Sequence, residues 1–169
     1  MITGNKLGAL GVLVMDAVER ALGELSPSAA ALLLTLRYRG EMTATALAGI
    51  AGVAQPTAVR VADGLVRRGL VERRGRAGRT APLRLTNIGT EKADALQRAR
   101  LAAMGRLLSG LAEGDRAGFE RALDRLLAGA TRSRAFARTT CRLCDHAACV
   151  GPLCPIGTRA GELERAAER

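Results

Sequence analysis

The chain has 169 residues, 48% of them apolar and only 2% aromatic, and a formal charge of +10 at pH 7. This length and composition suit one compact, mainly α-helical domain, because Leu and Ala favour helices and aromatic residues are few. No apolar run is long enough to span a membrane and no signal cleavage pattern is present. We therefore expect a soluble, cytoplasmic protein without a membrane partner.

The first predicted helix covers residues 4–25, and apolar residues recur along it every three or four positions. They are Leu7, Leu10, Val14, Val18, Leu22 and Leu25. A stripe of this kind is typical of a helix that packs along its whole length. Ser26 and Pro27 then introduce a second helix over 28–39, because proline is favoured in a first helical turn.

Two short helices joined by a glycine turn are predicted next. Thr43 can cap the first of them, and Gly52 permits the backbone conformation of the turn. The second helix begins near Gln55 and Pro56 and ends at Gly69. Its buried stripe is Val59, Ala62, Leu65 and Val66. Its outward positions are Gln55, Thr57, Arg60 and Asp63. Outward residues at the start of such a helix meet base edges in a DNA major groove.

A basic hairpin follows this helix. Strands are predicted over 70–73 and 81–86, with a glycine-containing loop between them. From residue 55 to residue 86 there are eight arginines and two carboxylates, a local balance of +6. The arginines are Arg60, Arg67, Arg68, Arg73, Arg74, Arg76, Arg79 and Arg84. Charge of one sign on a helix and hairpin in this order indicates a winged helix-turn-helix that binds DNA phosphates.

Helices beyond Gly89 are predicted over 90–108 and from 115 to about 136. Their apolar residues include Leu96, Leu101, Leu107, Leu108, Phe119, Leu123, Leu126 and Leu127. In so short a chain, the first and last helices have little else to cover their apolar faces. This predicts a homodimer with two-fold symmetry, which places two reading helices roughly 34 Å apart, about one turn of DNA.

The middle of the chain resembles the multiple antibiotic resistance regulator (MarR) family. The resemblance rests on Leu47-Ala48, on residues 57–73 and on Leu83-Arg84-Leu85-Thr86-Asn87-Ile88-Gly89. It implies a MarR-like domain over 1–138, with a winged helix-turn-helix over about 27–89. Dimerisation helices would occupy about 4–25 and 90–138.

The resemblance also implies the DNA contacts. Contacts of the reading helix would come from Gln55, Pro56, Thr57 and Arg60, and those of the wing from Arg73, Arg74, Arg76 and Arg79. The wing departs from the family pattern at one position. Arg79 matches the family's arginine, but Ala77 stands where an aspartate is usual, so the usual acid–arginine contact of the wing is absent.

All four cysteines of the chain lie in a carboxy-terminal extension, residues 139–169. They form a C-x2-C-x4-C-x4-C pattern made of Cys141, Cys144, Cys149 and Cys154. In a cytoplasmic protein, clustered thiols indicate a metal or redox role ahead of structural disulfides. The spacing resembles that of zinc knuckles, with cysteine in place of their histidine, and four thiolates would close a structural Zn²⁺ site. A compact run that ends in Cys-Pro fits an iron–sulfur cluster equally well.

A third interpretation of the extension is a thiol switch. In that case Cys141 and Cys144, or another pair of the four, oxidise reversibly, with Arg138 and Arg142 lowering the thiol pKa values. His146 is a further candidate ligand for a metal. The final segment, 157–169, mixes glutamates and arginines and predicts a short exposed helix.

These features together predict a homodimeric, sequence-specific transcription regulator of double-stranded DNA, expected to be a repressor. Its cysteines would bind zinc or an iron–sulfur cluster and sense metal or redox state, changing the spacing of the two reading heads. The alternatives are a thiol-switch or small-ligand-responsive regulator with only structural zinc, and a non-specific nucleic-acid-binding module. An enzyme is disfavoured, because no paired carboxylates, nucleophile motif or phosphate loop accompanies the cysteines.

Overall fold

The computed structural model describes residues 1–75, 81–149 and 151–169. The expectations for Arg76, Ala77 and Arg79 lie outside these residues. The elements in chain order are α1 (Ile2–Leu22), α2 (Pro27–Arg39), α3 (Ala44–Ala51), α4 (Gln55–Arg67), β1 (Val71–Arg73), β2 (Leu83–Leu85), α5 (Asn87–Leu108), α6 (Glu113–Ala130), α7 (Arg134–Thr140), a 3₁₀ turn (Gly151–Leu153) and α8 (Pro155–Ala167). The predicted mainly α fold with one small hairpin is confirmed. None of the described helices has the length and apolar character needed to cross a membrane.

Helix α2 lies at the centre of the fold. Every residue from Ala29 to Leu36 is buried, so the helix is covered on all sides. A helix that is apolar all round is stable only in a core. Helices α3, α4 and α5 and strand β2 pack against it. The Ser26 hydroxyl accepts a hydrogen bond from the Ala29 amide at 3.2 Å, which caps the start of α2.

The hairpin is joined closely to the start of α5. Strands β1 and β2 pair antiparallel, with Val71 opposite Leu85. The Thr86 hydroxyl caps α5 by accepting from the Gly89 amide at 3.0 Å. A Cβ atom on Gly89 would lie only 1.8 Å from the Leu70 carbonyl oxygen. Because only glycine allows this approach, the helix can begin directly against the base of the hairpin.

The prediction of one helix from 115 to about 136 is wrong. The region forms two helices, α6 and α7. The helical conformation ends at Thr131, whose backbone is extended. The Ser133 hydroxyl accepts a hydrogen bond from the Phe136 amide at 3.1 Å, and so starts a new helix. Hydroxyl side chains that bond to nearby backbone groups favour helix ends over helix interiors.

The prediction of an exposed helix over 157–169 needs a correction as well. Helix α8 begins earlier, at Pro155, and its first turns are packed, with Ile156 and Ala160 buried. Its amino-terminal cap is Cys154, whose sulfur accepts a hydrogen bond from the Gly157 amide at 3.2 Å. Cys154, a candidate metal ligand, therefore also caps the start of a helix.

Candidate DNA interface and cysteine cavity

Helix α4 presents its amino-terminal face to solvent. Gln55, Pro56 and Arg60 are exposed and Thr57 is half-buried. The opposite face is buried through Ala58, Ala62 and Leu65. The turn before α4 contains Gly52 in the left-handed conformation, at φ 69° and ψ 36°. The structure therefore leaves the predicted reading positions accessible to a DNA groove.

Ion pairs engage four of the six described arginines that the sequence placed at this interface. Arg73 contacts Asp63 of α4 at 2.5 Å, and its side chain is only 23% exposed. Arg74 contacts Glu41 at 3.3 Å and is 57% exposed. The other two pairs are Arg68 with Glu24 and Arg84 with Glu72. Arg73 thus fastens the hairpin to the reading helix, whereas Arg74 is exposed enough to exchange a weak surface pair for a phosphate.

The four thiols line one cavity of about 750 Å³. Cys141 ends α7, Cys154 caps α8, and both are buried, while Cys144 and Cys149 are half-buried. All four are free cysteines. The charged residues around the cavity are cations, Arg39, Arg134, Arg138 and Arg165, and within the described part of the chain no carboxylate joins them. We call this space the cysteine cavity. It is suited to an anion or to thiolates.

The thiols differ in acidity. The pKa of Cys144 is lowered to about 6, chiefly because its sulfur accepts a hydrogen bond from the Cys141 thiol. The same bond, together with burial, raises the pKa of Cys141. Burial raises the pKa of Cys149 to about 11. The cations that help to lower the Cys144 pKa are Arg100 and Arg39, not the Arg138 and Arg142 expected from the sequence.

Arg39, at the end of α2, reaches the cavity from the core of the fold. One Nη atom donates a hydrogen bond to Nε2 of His146 at 2.9 Å. Its Nε atom is buried and has no hydrogen-bond partner among the described residues. Burial lowers the pKa of Arg39, and burial followed by the Arg39 charge lowers that of His146. His146 therefore acts as an acceptor for Arg39 in this arrangement, which occupies one of its two ring nitrogens.

The cysteine extension packs directly on the helix-turn-helix. The Thr139 hydroxyl lies 3.5 Å from the Gly49 carbonyl oxygen of α3. A Cβ atom on Gly52 would approach Cγ2 of Thr139 to 2.7 Å. Leu143, between the first two cysteines, packs against the main core. These contacts connect residues far apart in sequence, and no periodicity along the chain signals them.

Cys141 is hydrogen-bonded to Cys144 and Cys149 to Cys154, and all four thiols line the same cavity. Among residues 1–75, 81–149 and 151–169, no three His, Cys, Asp or Glu side chains are grouped so as to hold one ion. The buried, unpartnered Nε of Arg39 fits a cavity whose occupant offers hydrogen-bond acceptors. The residues present thus suit an anionic, sulfur-ligated group.

Comparison with known proteins relates the first part of the chain to one family. Residues 25–77 match the model of the MarR family. No curated protein sequence matches the chain significantly.

Three solved structures share the fold of most of the chain. The YusO protein of Bacillus subtilis is 23% identical, with 76% of this chain and 94% of that one covered and a TM-score of 0.67. MepR, a transcription regulator of the Staphylococcus aureus multidrug efflux pump MepA, is 17% identical, with 76% and 98% covered and a TM-score of 0.65. A MarR family protein of Mycobacterium tuberculosis is 25% identical, with 73% and 92% covered and a TM-score of 0.62.

Proposed function

Because residues 25–77 match the model of the MarR family, we propose that the chain is a homodimeric, sequence-specific DNA-binding transcription regulator whose cysteine extension binds a thiolate-ligated metal centre. We expect it to act as a repressor. The observation that carries DNA binding is the exposed amino-terminal face of α4 beside a hairpin that Arg73 and Asp63 fasten to it. Gln55, Pro56, Thr57 and Arg60 would contact bases and nearby phosphates, and Arg74, Arg76 and Arg79 of the wing would contact the backbone or minor groove.

DNA binding is tested by titrating labelled duplex DNA with the protein over a range of salt concentrations. Selection from a random pool would first supply a preferred sequence. The Arg60→Ala variant should bind that sequence more weakly by about 1–3 kcal/mol. Arg98→Ala, an exposed arginine on α5, is the matched control and should leave the affinity unchanged. A preference of only a few-fold over random DNA would support a non-specific module instead.

Exposed apolar surfaces on the outer helices support the dimer. Helix α6 has no buried residue over its 18 positions, although it carries Leu123, Leu126 and Leu127. Helix α1 exposes Leu7, Val12, Leu13 and Met15. Several exposed apolar side chains along one helix are typical of an interface in a folded protein. A second copy of the chain, related by a two-fold axis, would cover both helices and set the spacing of two α4 helices.

The cysteine cavity supports the metal centre, and its contacts with α3 support a link to DNA binding. A change in the extension acts on the reading helices within the same protomer, in addition to any change in dimer spacing. The test compares the operator affinity of metal-loaded protein with that of Cys144→Ser. Equal affinities would contradict the link. If the native protein carries no metal, a thiol switch between the adjacent Cys141 and Cys144 becomes the better account of the extension.

The cavity between α1 and α5 gives little support to the alternative in which a small aromatic ligand is the effector. This cavity measures about 430 Å³, and its described lining consists of alanines, two arginines and one leucine. These residues offer no aromatic ring on which a ligand could stack. The cysteine extension is therefore the better candidate for the regulatory site.

A further inference from the structure

We propose that the cysteine cavity holds an iron–sulfur cluster and not a zinc ion, and that Arg39 donates a hydrogen bond to a sulfur of that cluster. This inference rests on the proposed function in one respect, namely that the four thiols bind metal. It adds the class of the cofactor and a residue from the MarR-like domain that contacts it.

The arrangement of the four sulfurs favours a cluster over a single zinc ion. Zinc held by four thiolates lies about 2.3 Å from each sulfur, so the four sulfurs surround a single point. In this chain the thiols instead line a cavity of about 750 Å³, and among the described residues no three of them are grouped so as to hold a single ion. A cluster with several irons binds one cysteine at each of several corners, and so requires separated sulfurs around an open space.

The buried Nε–H of Arg39 needs an acceptor inside the cavity. A buried donor without a partner costs about 1–3 kcal/mol, so native structures rarely retain one. The Arg39 Nε is such a donor, and its neighbouring Nη is already bonded to His146. Because Arg39 lines the cavity with the four cysteines, a sulfur of the cluster is the acceptor that this donor lacks.

The charges and the backbone amide around the cavity also suit a cluster. A cluster with four thiolate ligands is an anion, and the described charged residues around the cavity are all arginines. The Gly157 amide at the start of α8 already donates to the Cys154 sulfur at 3.2 Å. Helix α8 runs for 13 residues, so its amino terminus adds a positive partial charge at this ligand. Hydrogen bonds to sulfur of this kind tune the reduction potential of a cluster.

Binding requires no electron transfer to or from the protein. Each of the four thiols loses its proton to water and forms one iron–sulfur bond. Arg39 keeps its proton and acts as a donor, which makes it a positioning residue and not a ligand.

The first experiment determines the bound metal in the full-length protein, purified without oxygen from cells supplied with iron. Iron, zinc and acid-labile sulfide are measured per chain, together with the visible absorption spectrum. We expect visible absorbance with iron and sulfide present and zinc absent, and loss of all three signals in Cys144→Ser and Cys154→Ser. A colourless protein with one zinc per chain would overturn the cluster while leaving the proposed metal centre intact. Protein without any metal would overturn both.

The second experiment tests Arg39 with the visible spectrum as readout. In Arg39→Gln, an iron chelator should remove the cluster at about tenfold lower concentration, because outer hydrogen bonds contribute roughly 10–100-fold to metal affinity. The reduction potential should also fall, since loss of a cation and a donor destabilises the more negative, reduced cluster. Arg39→Lys keeps the charge without the planar donor group and should recover part of the potential.

The matched control is Arg37→Gln, which removes a neighbouring arginine of α2 that pairs with Asp94 at 2.7 Å and does not line the cavity. It should leave the chelator sensitivity and the potential as in the wild type. Thermal unfolding of each variant verifies that it is folded. If Arg39→Gln and Arg37→Gln have the same potential and chelator sensitivity, the contact between Arg39 and the cluster is refuted.

Discussion

Gly52, in the turn between α3 and α4, lies against Thr139, two residues before the first cysteine. A Cβ atom on Gly52 would approach Cγ2 of Thr139 to 2.7 Å. The turn also requires the left-handed backbone conformation, at φ 69°, which side chains other than glycine adopt at a cost. The turn of the helix-turn-helix thus rests on α7, the helix that Cys141 caps at its carboxy end.

We predict that Gly52→Ala destabilises the protein by about 1–3 kcal/mol, because it combines an unfavourable φ with a clash against Thr139. Gly49→Ala is the matched control in α3. A Cβ there meets nothing within 4 Å, and alanine favours a helix interior by roughly 0.5–1 kcal/mol over glycine. The midpoint of chemical denaturation should therefore fall for Gly52→Ala and rise for Gly49→Ala. Equal shifts would mean that α7 does not pack on the turn.

Gly89→Ala should destabilise the protein more than Gly52→Ala does. The new Cβ would lie 1.8 Å from the Leu70 carbonyl oxygen, which is backbone and cannot rotate away. We expect a loss above about 3 kcal/mol, since α5 must move away from the hairpin. Gly105→Ala in the same helix has open space around the added Cβ and should raise the stability slightly. Thermal unfolding of the two variants checks this prediction, and a Gly89→Ala protein as stable as the wild type would contradict it.

Two acidic residues near the hairpin should have opposite effects on DNA binding. Asp63→Asn removes the partner of the half-buried Arg73, which frees the hairpin from α4 and should weaken binding despite the loss of a negative charge. Glu41→Gln releases the exposed Arg74 and should strengthen binding, by up to about 1 kcal/mol. Titration of operator DNA at fixed salt measures both. If both variants bind more tightly, net charge alone governs affinity and the Asp63–Arg73 pair does not position the wing.

Leu126→Glu should convert the proposed dimer into a monomer. Leu126 is 57% exposed on α6, and two-fold symmetry would place a glutamate from each protomer in an apolar interface, where unpaired charges are costly. Leu153→Glu changes a leucine that is 76% exposed in the 3₁₀ turn of the extension and serves as the control. Sedimentation velocity distinguishes the species. A dimer that persists in Leu126→Glu would remove α6 from the interface.

The local sequence was sufficient to predict the helix-turn-helix and its hairpin. Thr43 caps its helix as predicted, Pro56 lies in a first turn, and the pattern after Gly69 changes to that of a strand. These signals depend on neighbours within a few residues, so they can be recognised without knowledge of the rest of the fold.

The break between α6 and α7 was also encoded locally, in Thr131 and Ser133, but the apolar periodicity of this region concealed it. The roles of Arg73 and Arg39 were not available locally at all. Arg73 looked like a free wing cation, and its pairing with Asp63 depends on how the hairpin folds over α4. Arg39 is the last residue of α2, and nothing in its local sequence indicates a role at the cysteines. Only the packing of α2 brings it to them.

The amino-acid sequence by itself determined the order of the helices, the start and end of the reading helix, the basic hairpin and the clustering of all four cysteines. The tertiary structure alone decided which arginines remain accessible to DNA, that the cysteine extension packs on the turn at Gly52, and that Arg39 joins the thiols around one cavity. The physical reason is the range of the forces involved. Capping and periodicity depend on neighbours within a few residues, whereas burial, ion pairing and cavity formation depend on residues that become neighbours only when the chain folds.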